Sequence, residues 1–279
     1  MSSDHGSALP EHPALSDQVE GQVTAPPNPL GLPAIAPIGG VGIGIVAPYD
    51  FALDRELWRW APEDVALLTT RTPYAALPVS VDQALAVGDT DVVASCTTSL
   101  IATQPRVVTY MCTSGSFVHG RAGESALVDA MLGSGAPAAM TTSGAMVMAM
   151  NHLGIKRVAV ATPYDTEITQ LLVDFLAESG IGVAASAHLG LHGLIWRIPY
   201  AATVELVRQA VDQSAGCDAV FISCTNVPTY DLIAPLEREL GIPVLTANQV
   251  TIWAALQLAG VATVGTGQSL ITRTAEDAA

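Results

Sequence analysis

Two cysteines stand in matched surroundings. Cys112 closes the run Val107-Val-Thr-Tyr-Met-Cys-Thr113, and Cys224 closes Ala219-Val-Phe-Ile-Ser-Cys-Thr225. A thiol has a pKa of about 8.5 when free, and nearby charges and backbone donors move it, so such a group can serve as nucleophile or proton carrier. One thiolate can take a proton from carbon or add to an electrophilic carbon while an opposed thiol donates. Neither act needs a metal or an organic cofactor, and none is expected. Small polar residues follow each cysteine: Thr113, Ser114, Gly115 and Ser116 in one case, Thr225 and Asn226 in the other. Their N–H and hydroxyl donors suit a carboxylate. A small carboxylic acid is therefore the expected ligand.

The other candidates are weaker. Cys96 falls inside a helical stretch and reads as packing, and Cys217 sits in a turn with no polar loop after it. Tyr164 and Tyr49 begin loops after apolar runs; Tyr164 is the better ligand donor by loop position. Asp165 and Asp50 follow them, and each can cap a helix, Asp165 the more readily. His119 reads equally as a surface residue or a helper base. No histidine pattern has metal-ligand spacing. Gly39-Gly-Val-Gly-Ile-Gly44 faintly suggests a dinucleotide loop, but its glycines enter a strand instead of following one.

The elements that must hold the cysteines repeat. Val46-Ala-Pro-Tyr-Asp50 recurs as Ala161-Thr-Pro-Tyr-Asp165, and Gly135-Ala-Pro137 recurs as Gly241-Ile-Pro243. Pro48 and Pro163 lie 115 residues apart, Cys112 and Cys224 lie 112 apart, and Pro137 and Pro243 lie 106 apart. Three anchors in one order at nearly constant offset indicate two similar halves. Buried-strand runs are expected at 41–47, 65–69, 106–111, 157–161, 182–187 and 218–223. Helices are expected over 92–102, 125–132, 166–178, 203–213, 230–240 and 249–258, with a further apolar helix closing on Gly154. This alternation predicts an α/β fold of two pseudo-symmetric Rossmann-like halves, each a mostly parallel sheet of about four strands flanked by helices. Ligands of such sheets sit beyond the carboxyl ends of the strands, so the site belongs in the cleft between halves. The expected organisation is a disordered tail over 1–38, a first half over 39–150 plus 249–279, and a second half over 151–248. Seven prolines and no aromatic residue in the first 37 positions set the tail apart.

Composition narrows the function. The 279 residues carry 11 Lys+Arg against 26 Asp+Glu, a formal charge of −15, which argues against nucleic acid. Lys156 is the single lysine, so Schiff-base and pyridoxal chemistry are nearly excluded. Half the residues are hydrophobic, as suits a well-buried globular chain. No apolar run is long enough for a membrane span, and no Lys or Arg precedes Arg55 to make a secretory signal. Four irregularly spaced cysteines without a C-x-x-C pair suit a reduced, cytoplasmic setting and no structural zinc. No partner is expected beyond a small carboxylate, and a homo-oligomer stays open.

The run Met111-Cys-Thr-Ser-Gly-Ser-Phe-Val-His-Gly120, with Ala161-Thr-Pro-Tyr164 and Ser223-Cys-Thr-Asn226, resembles the aspartate/glutamate racemase superfamily. The nearest branch is that of maleate cis-trans isomerase and arylmalonate decarboxylase, including related proteins of ectoine and hydroxyectoine breakdown. The resemblance runs from about Val41 to Gly260. It implies that Cys112 is the nucleophile adding to a double bond and Cys224 the proton donor and acceptor. A succinyl thioether would form, rotate and eliminate fumarate. It also implies that Thr113, Ser114, Tyr164 and the backbone after Cys224 bind carboxylate. Decarboxylases of the branch typically keep only the second cysteine. Maleate isomerases usually carry asparagine in the first loop, where this chain has Asp50, a pattern closer to the ectoine-catabolic relatives.

The leading expectation is a cofactor-independent cis-trans isomerase, maleate to fumarate, with Cys112 and Cys224 catalytic. Thr113, Ser114, Tyr164, Thr225, Asn226 and Asp50 are the expected binding residues. A two-base racemase or a decarboxylase of the same branch is the alternative, and a non-catalytic small-acid binding protein is the alternative from another class.

Overall fold

The computed structural model describes residues 30–31 and 39–272. The tail expected over 1–38 lies outside the described residues except at Leu30 and Gly31, and so do 273–279. The first sheet is built from β1 (Val41–Ala47), β2 (Val65–Arg71), β3 (Val107–Tyr110) and β4 (Ala139–Thr141), in the order β2-β1-β3-β4. The second uses β5 (Arg157–Thr162), β6 (Gly182–His188), β7 (Ala219–Ile222) and β8 (Val244–Thr246), in the order β6-β5-β7-β8. All pairings are parallel, and the two orders are the same once the second set is renumbered. The duplicated motifs thus correspond to a duplicated topology.

The central strands are apolar throughout because both their faces are covered. Every residue of β3 and β7 is buried. The glycine run before β1 serves packing: Gly39 has φ +80, and a Cβ there would meet the Asp64 carbonyl oxygen at 2.8 Å.

The helices are α1 (Asp54–Leu57), α2 (Val81–Val87), α3 (Thr90–Ile101), α4 (Thr113–Phe117), α5 (Gly120–Gly133) and α6 (Thr142–His152), then α7 (Thr166–Glu178), α8 (Tyr200–Asp212), α9 (Tyr230–Leu240), α10 (Ala247–Leu258) and α11 (Ser269–Thr272). Thr141 and Thr246 cap α6 and α10 alike, each hydroxyl accepting the N–H three residues on. These equivalent helices pack against each other, and Thr251 on α10 donates to Thr142 on α6 at 3.0 Å. Residues 247–256 of α10 are all buried, and the polar ones among them, Asn248, Gln249 and Thr251, are hydrogen-bonded. It also touches β3 and β4 of the first sheet.

The expected strands and helices fall where the sequence puts them, apart from their ends. The helix expected over 125–132 begins earlier, at Gly120, and the one over 203–213 begins at Tyr200. Asp50 does not cap a helix. Residues 51–53 run on before α1, whose N-cap is Leu53 with no side-chain bond. Asp165, by contrast, accepts the Ile168 N–H at 3.0 Å and caps α7.

Candidate active site

Each cysteine lies just past the end of a central strand, where the chain must turn. Cys112 follows β3 in extended backbone and caps α4, its sulfur accepting the Gly115 N–H at 3.4 Å. Gly115 is required at this spot: a Cβ would collide with the Tyr110 hydroxyl and press on the Cys112 sulfur. Cys224 follows β7 with φ +81, in the left-handed region that side chains rarely adopt. Its sulfur accepts the Asn226 N–H at 3.4 Å.

Both cysteines line one pocket. Thr113, Ser114, Tyr164, Thr225, Asn226 and Asp50 line it too, so every residue expected at the site is brought together there. Cys96 does not line it; it is buried in α3 with its sulfur directed at the Arg71 carbonyl. Cys217 also lies elsewhere, beside Ser214. His119 is exposed and away from the pocket.

The pocket holds both thiols in their neutral form. Burial pushes the Cys112 thiol up, opposed by the Gly115 N–H and by the Tyr110 and Ser114 hydroxyls. Burial pushes Cys224 up to about 12, opposed by the Asn226 N–H and the Tyr164 hydroxyl. Asp50 adds its charge to the upward push on both. Its own carboxyl is also raised, chiefly by burial. Tyr110 donates to the Val87 carbonyl at 2.7 Å, and burial holds its phenol, like that of Tyr164, well above the usual range.

The polar neighbours divide by role. The Thr113 hydroxyl is buried and without a partner, which leaves it available to a ligand. Thr225 donates to the Met111 carbonyl at 3.4 Å, tying one cysteine loop to the other. The Asn226 amide faces the first half: it accepts from Ala52 N–H at 2.9 Å and donates to the Asp50 carbonyl at 3.1 Å. Sequence reasoning did not find Glu56. This buried carboxylate accepts from the Thr229 N–H (3.1 Å), the Thr229 hydroxyl (2.9 Å) and the Asn248 amide (3.3 Å), and Asn248 also donates to the Thr225 carbonyl. Burial raises its pKa. Pro48, Val79, Gln83, Val87 and Ile195 complete the wall. At the mouth, the Val79 N–H donates to the His192 carbonyl at 3.0 Å, joining the loops after β2 and β6 across the halves. Nothing in these residue types marked them beforehand.

Two thiols, hydroxyls, backbone donors and one carboxylate are groups that could carry proton or nucleophile chemistry. Among the described residues no group of His, Cys, Asp and Glu could hold a metal ion, and no helix is long and apolar enough to cross a membrane. The profile of the arylmalonate decarboxylase family matches residues 63–272, more than half of the chain. The chain belongs to the arylmalonate decarboxylase family. Arylmalonate decarboxylase of Bordetella bronchiseptica is 35% identical over 156 residues, 55% of this chain and 65% of that protein. Maleate isomerase of Nocardia farcinica is 30% identical over 187 residues, 63% of this chain and 73% of that protein. The matches to the Bordetella decarboxylase and to a Geobacillus stearothermophilus maleate isomerase span 65% and 60% of those relatives, under two thirds. A liganded arylmalonate decarboxylase, with one glycine changed to cysteine and one cysteine to serine, superposes with a TM-score of 0.77 at 28% identity, covering 83% of this chain and 99% of that one. The family and fold implied by the Cys112 and Cys224 motifs are thus the ones found.

Proposed function

We propose that this family member is a cofactor-free isomerase of a small carboxylic acid, working through Cys112 and Cys224. The observation that carries the reading is that matched loops of the two halves bring both thiols to one pocket. The thiol held up to about 12 keeps its proton, which suits Cys224 to the part of acid. Cys112, with the Gly115 N–H and the Tyr110 and Ser114 hydroxyls favouring its anion, suits the part of nucleophile or base.

Two reactions use this pair. In the first, the Cys112 thiolate adds to one alkene carbon of a cis diacid and Cys224 protonates the other. Rotation about the new single bond and the reverse elimination then deliver the trans acid, maleate to fumarate. Relatives named maleate isomerase support this form. In the second, the Cys112 thiolate removes the proton α to a single carboxylate and Cys224 protonates the opposite face, so the configuration inverts and the thiols exchange roles. Asp50 favours the second: a dianion would meet a carboxylate on a wall that carries no Lys, Arg or His.

The deciding test offers maleate, amino acids, hydantoin-like rings and substituted malonates to the parent and to Cys112→Ser and Cys224→Ser in deuterium oxide. Each variant is expected to lose about 10²–10⁴-fold in turnover of any acid the parent converts. A substrate-mass adduct on Cys112 identifies addition, and α-deuteration without an adduct identifies proton exchange. Variants that act like the parent would overturn the reading.

A further inference from the structure

The two thiol loops are held in different ways. Cys112 sits in ordinary extended backbone, φ −143, and α4 begins at the next residue, so helix hydrogen bonds fix the chain there. Cys224 has φ +81, and α9 does not begin until Tyr230, which leaves residues 225–229 outside any helix. A left-handed residue other than glycine persists only where its surroundings over-determine it. Contacts from elsewhere in the fold supply that restraint. The Asn226 side chain binds the Ala52 N–H and the Asp50 carbonyl, and Asn248 donates to the Thr225 carbonyl at 2.9 Å. Thr229 gives both its N–H and its hydroxyl to Glu56.

Glu56 joins the last two of these contacts. The same Asn248 amide that holds Thr225 also donates to Glu56 at 3.3 Å, and the Tyr230 N–H favours the Glu56 anion as well. Every one of these donors lies C-terminal to Cys224, whereas Glu56 stands on α1, soon after the first strand. Among the described residues Glu56 takes part in no ion pair. A buried carboxylate without a cation is a cost to folding. What its two oxygens accomplish is to gather donors that flank a single cysteine.

We propose that Glu56 is a positioning residue for Cys224: acting through Asn248 and Thr229, it holds the loop in the left-handed turn that keeps the sulfur on the pocket wall. Glu56 does not itself line the pocket, so its effect on chemistry is indirect. The assignment rests on the reading that Cys224 works as a thiol in that pocket, and it adds the group that keeps it there.

The test follows iodoacetamide alkylation near pH 8, cysteine by cysteine, by peptide mass spectrometry, with the urea midpoint of each variant recorded. Glu56→Gln keeps the shape of the side chain but turns an NH2 group toward donors. Cys224 then relaxes and meets water, so its alkylation should rise at least about tenfold relative to Cys112. Asn248→Ala leaves the carboxylate in place and cuts its link to Thr225. It should shift the ratio in the same direction, and it carries the test if the first variant does not fold. The double variant should exceed Glu56→Gln alone by less than about threefold, since both act along one connection. Glu124→Gln is the matched control: this buried carboxylate accepts from the Thr141 hydroxyl at 2.7 Å in the first half. It should lower stability while moving the Cys224-to-Cys112 ratio by less than about threefold. For any acid the parent converts, Glu56→Gln should lower kcat at least about tenfold and move KM by less than about threefold. An unchanged ratio in either folded variant, a double variant that multiplies the two effects, or an equal rise in Glu124→Gln would each overturn the assignment and leave the two-thiol reading standing. Full turnover in Cys224→Ser would instead remove that reading, with the alkylation ratio still deciding whether Glu56 holds the loop.

Discussion

The tripeptide Pro-Tyr-Asp occurs twice, at 48–50 and at 163–165, each time directly after the first strand of a half, and its two copies do opposite things. In the second, Tyr164 is buried and lines the pocket while Asp165 caps α7. In the first, Asp50 lines the pocket, and the Tyr49 hydroxyl turns aside to accept from Gln83 at 2.9 Å and donate to the Leu77 carbonyl. The difference originates in the residues downstream of each copy. A 13-residue helix starts right after Asp165 and draws its carboxylate to the free N–H groups of the first turn. After Asp50 the next helix has four residues and starts later, with Leu53 as its N-cap, so no helix N-terminus claims the side chain. A duplicated sequence thus yields an asymmetric pocket, because the neighbouring chain decides which of two polar side chains is left to line it.

That contrast can be broken by experiment. The largest effect concerns the thiols. With Cys224 held up to about 12, its thiolate fraction at pH 8 should be at least about 100-fold below that of an unfolded-chain cysteine titrating near 8.5. Iodoacetamide labelling of the native and urea-unfolded protein measures this, and equal rates would refute it. The same shift has a consequence for stability. The fold favours the protonated thiol, so its contribution is complete below about pH 8.5 and is lost as pH rises toward 12, visible as an alkaline fall in the urea midpoint.

Next in size is the tyrosine pair. Tyr164→Phe removes a hydroxyl aimed at Cys224 and should lower turnover by about 10²-fold, whereas Tyr49→Phe should change it by less than about threefold. Similar losses in both would erase the asymmetry.

The smallest effect belongs to the aspartate in the capping role. Asp165→Ala should cost about 1 kcal/mol of folding stability through the lost cap, with ligand binding unchanged. A binding defect without a drop in stability would mean that the second copy also faces substrate.

Much of this was legible in the sequence, and the reasons are specific. Parallel strands such as β1 and β5 are covered on both faces, so they read as apolar runs, and the cysteine-ended runs fixed the strand ends where the site lies. The three-residue strands β4 and β8 are too short to carry a pattern of their own. The mouth was invisible: Val79, Gln83 and Ile195 have no chemical signature, and only the Val79–His192 bridge between distant loops places them. Asn226 shows a subtler limit. Its type suits a ligand donor, yet its amide binds the Asp50 loop, and only tertiary contacts could say so. Glu56 was missed because a buried carboxylate looks like any helix-surface glutamate until Thr229 and Asn248 are seen around it.

The left-handed backbone at Cys224 has one more implication. Glycine would sit there without strain, so a Cys224→Gly exchange relieves the backbone while deleting the sulfur. Screening this protein for heat resistance alone would therefore reward variants that have lost one of the pocket's two thiols, and under the proposed reaction that sets robustness against turnover at a single φ angle.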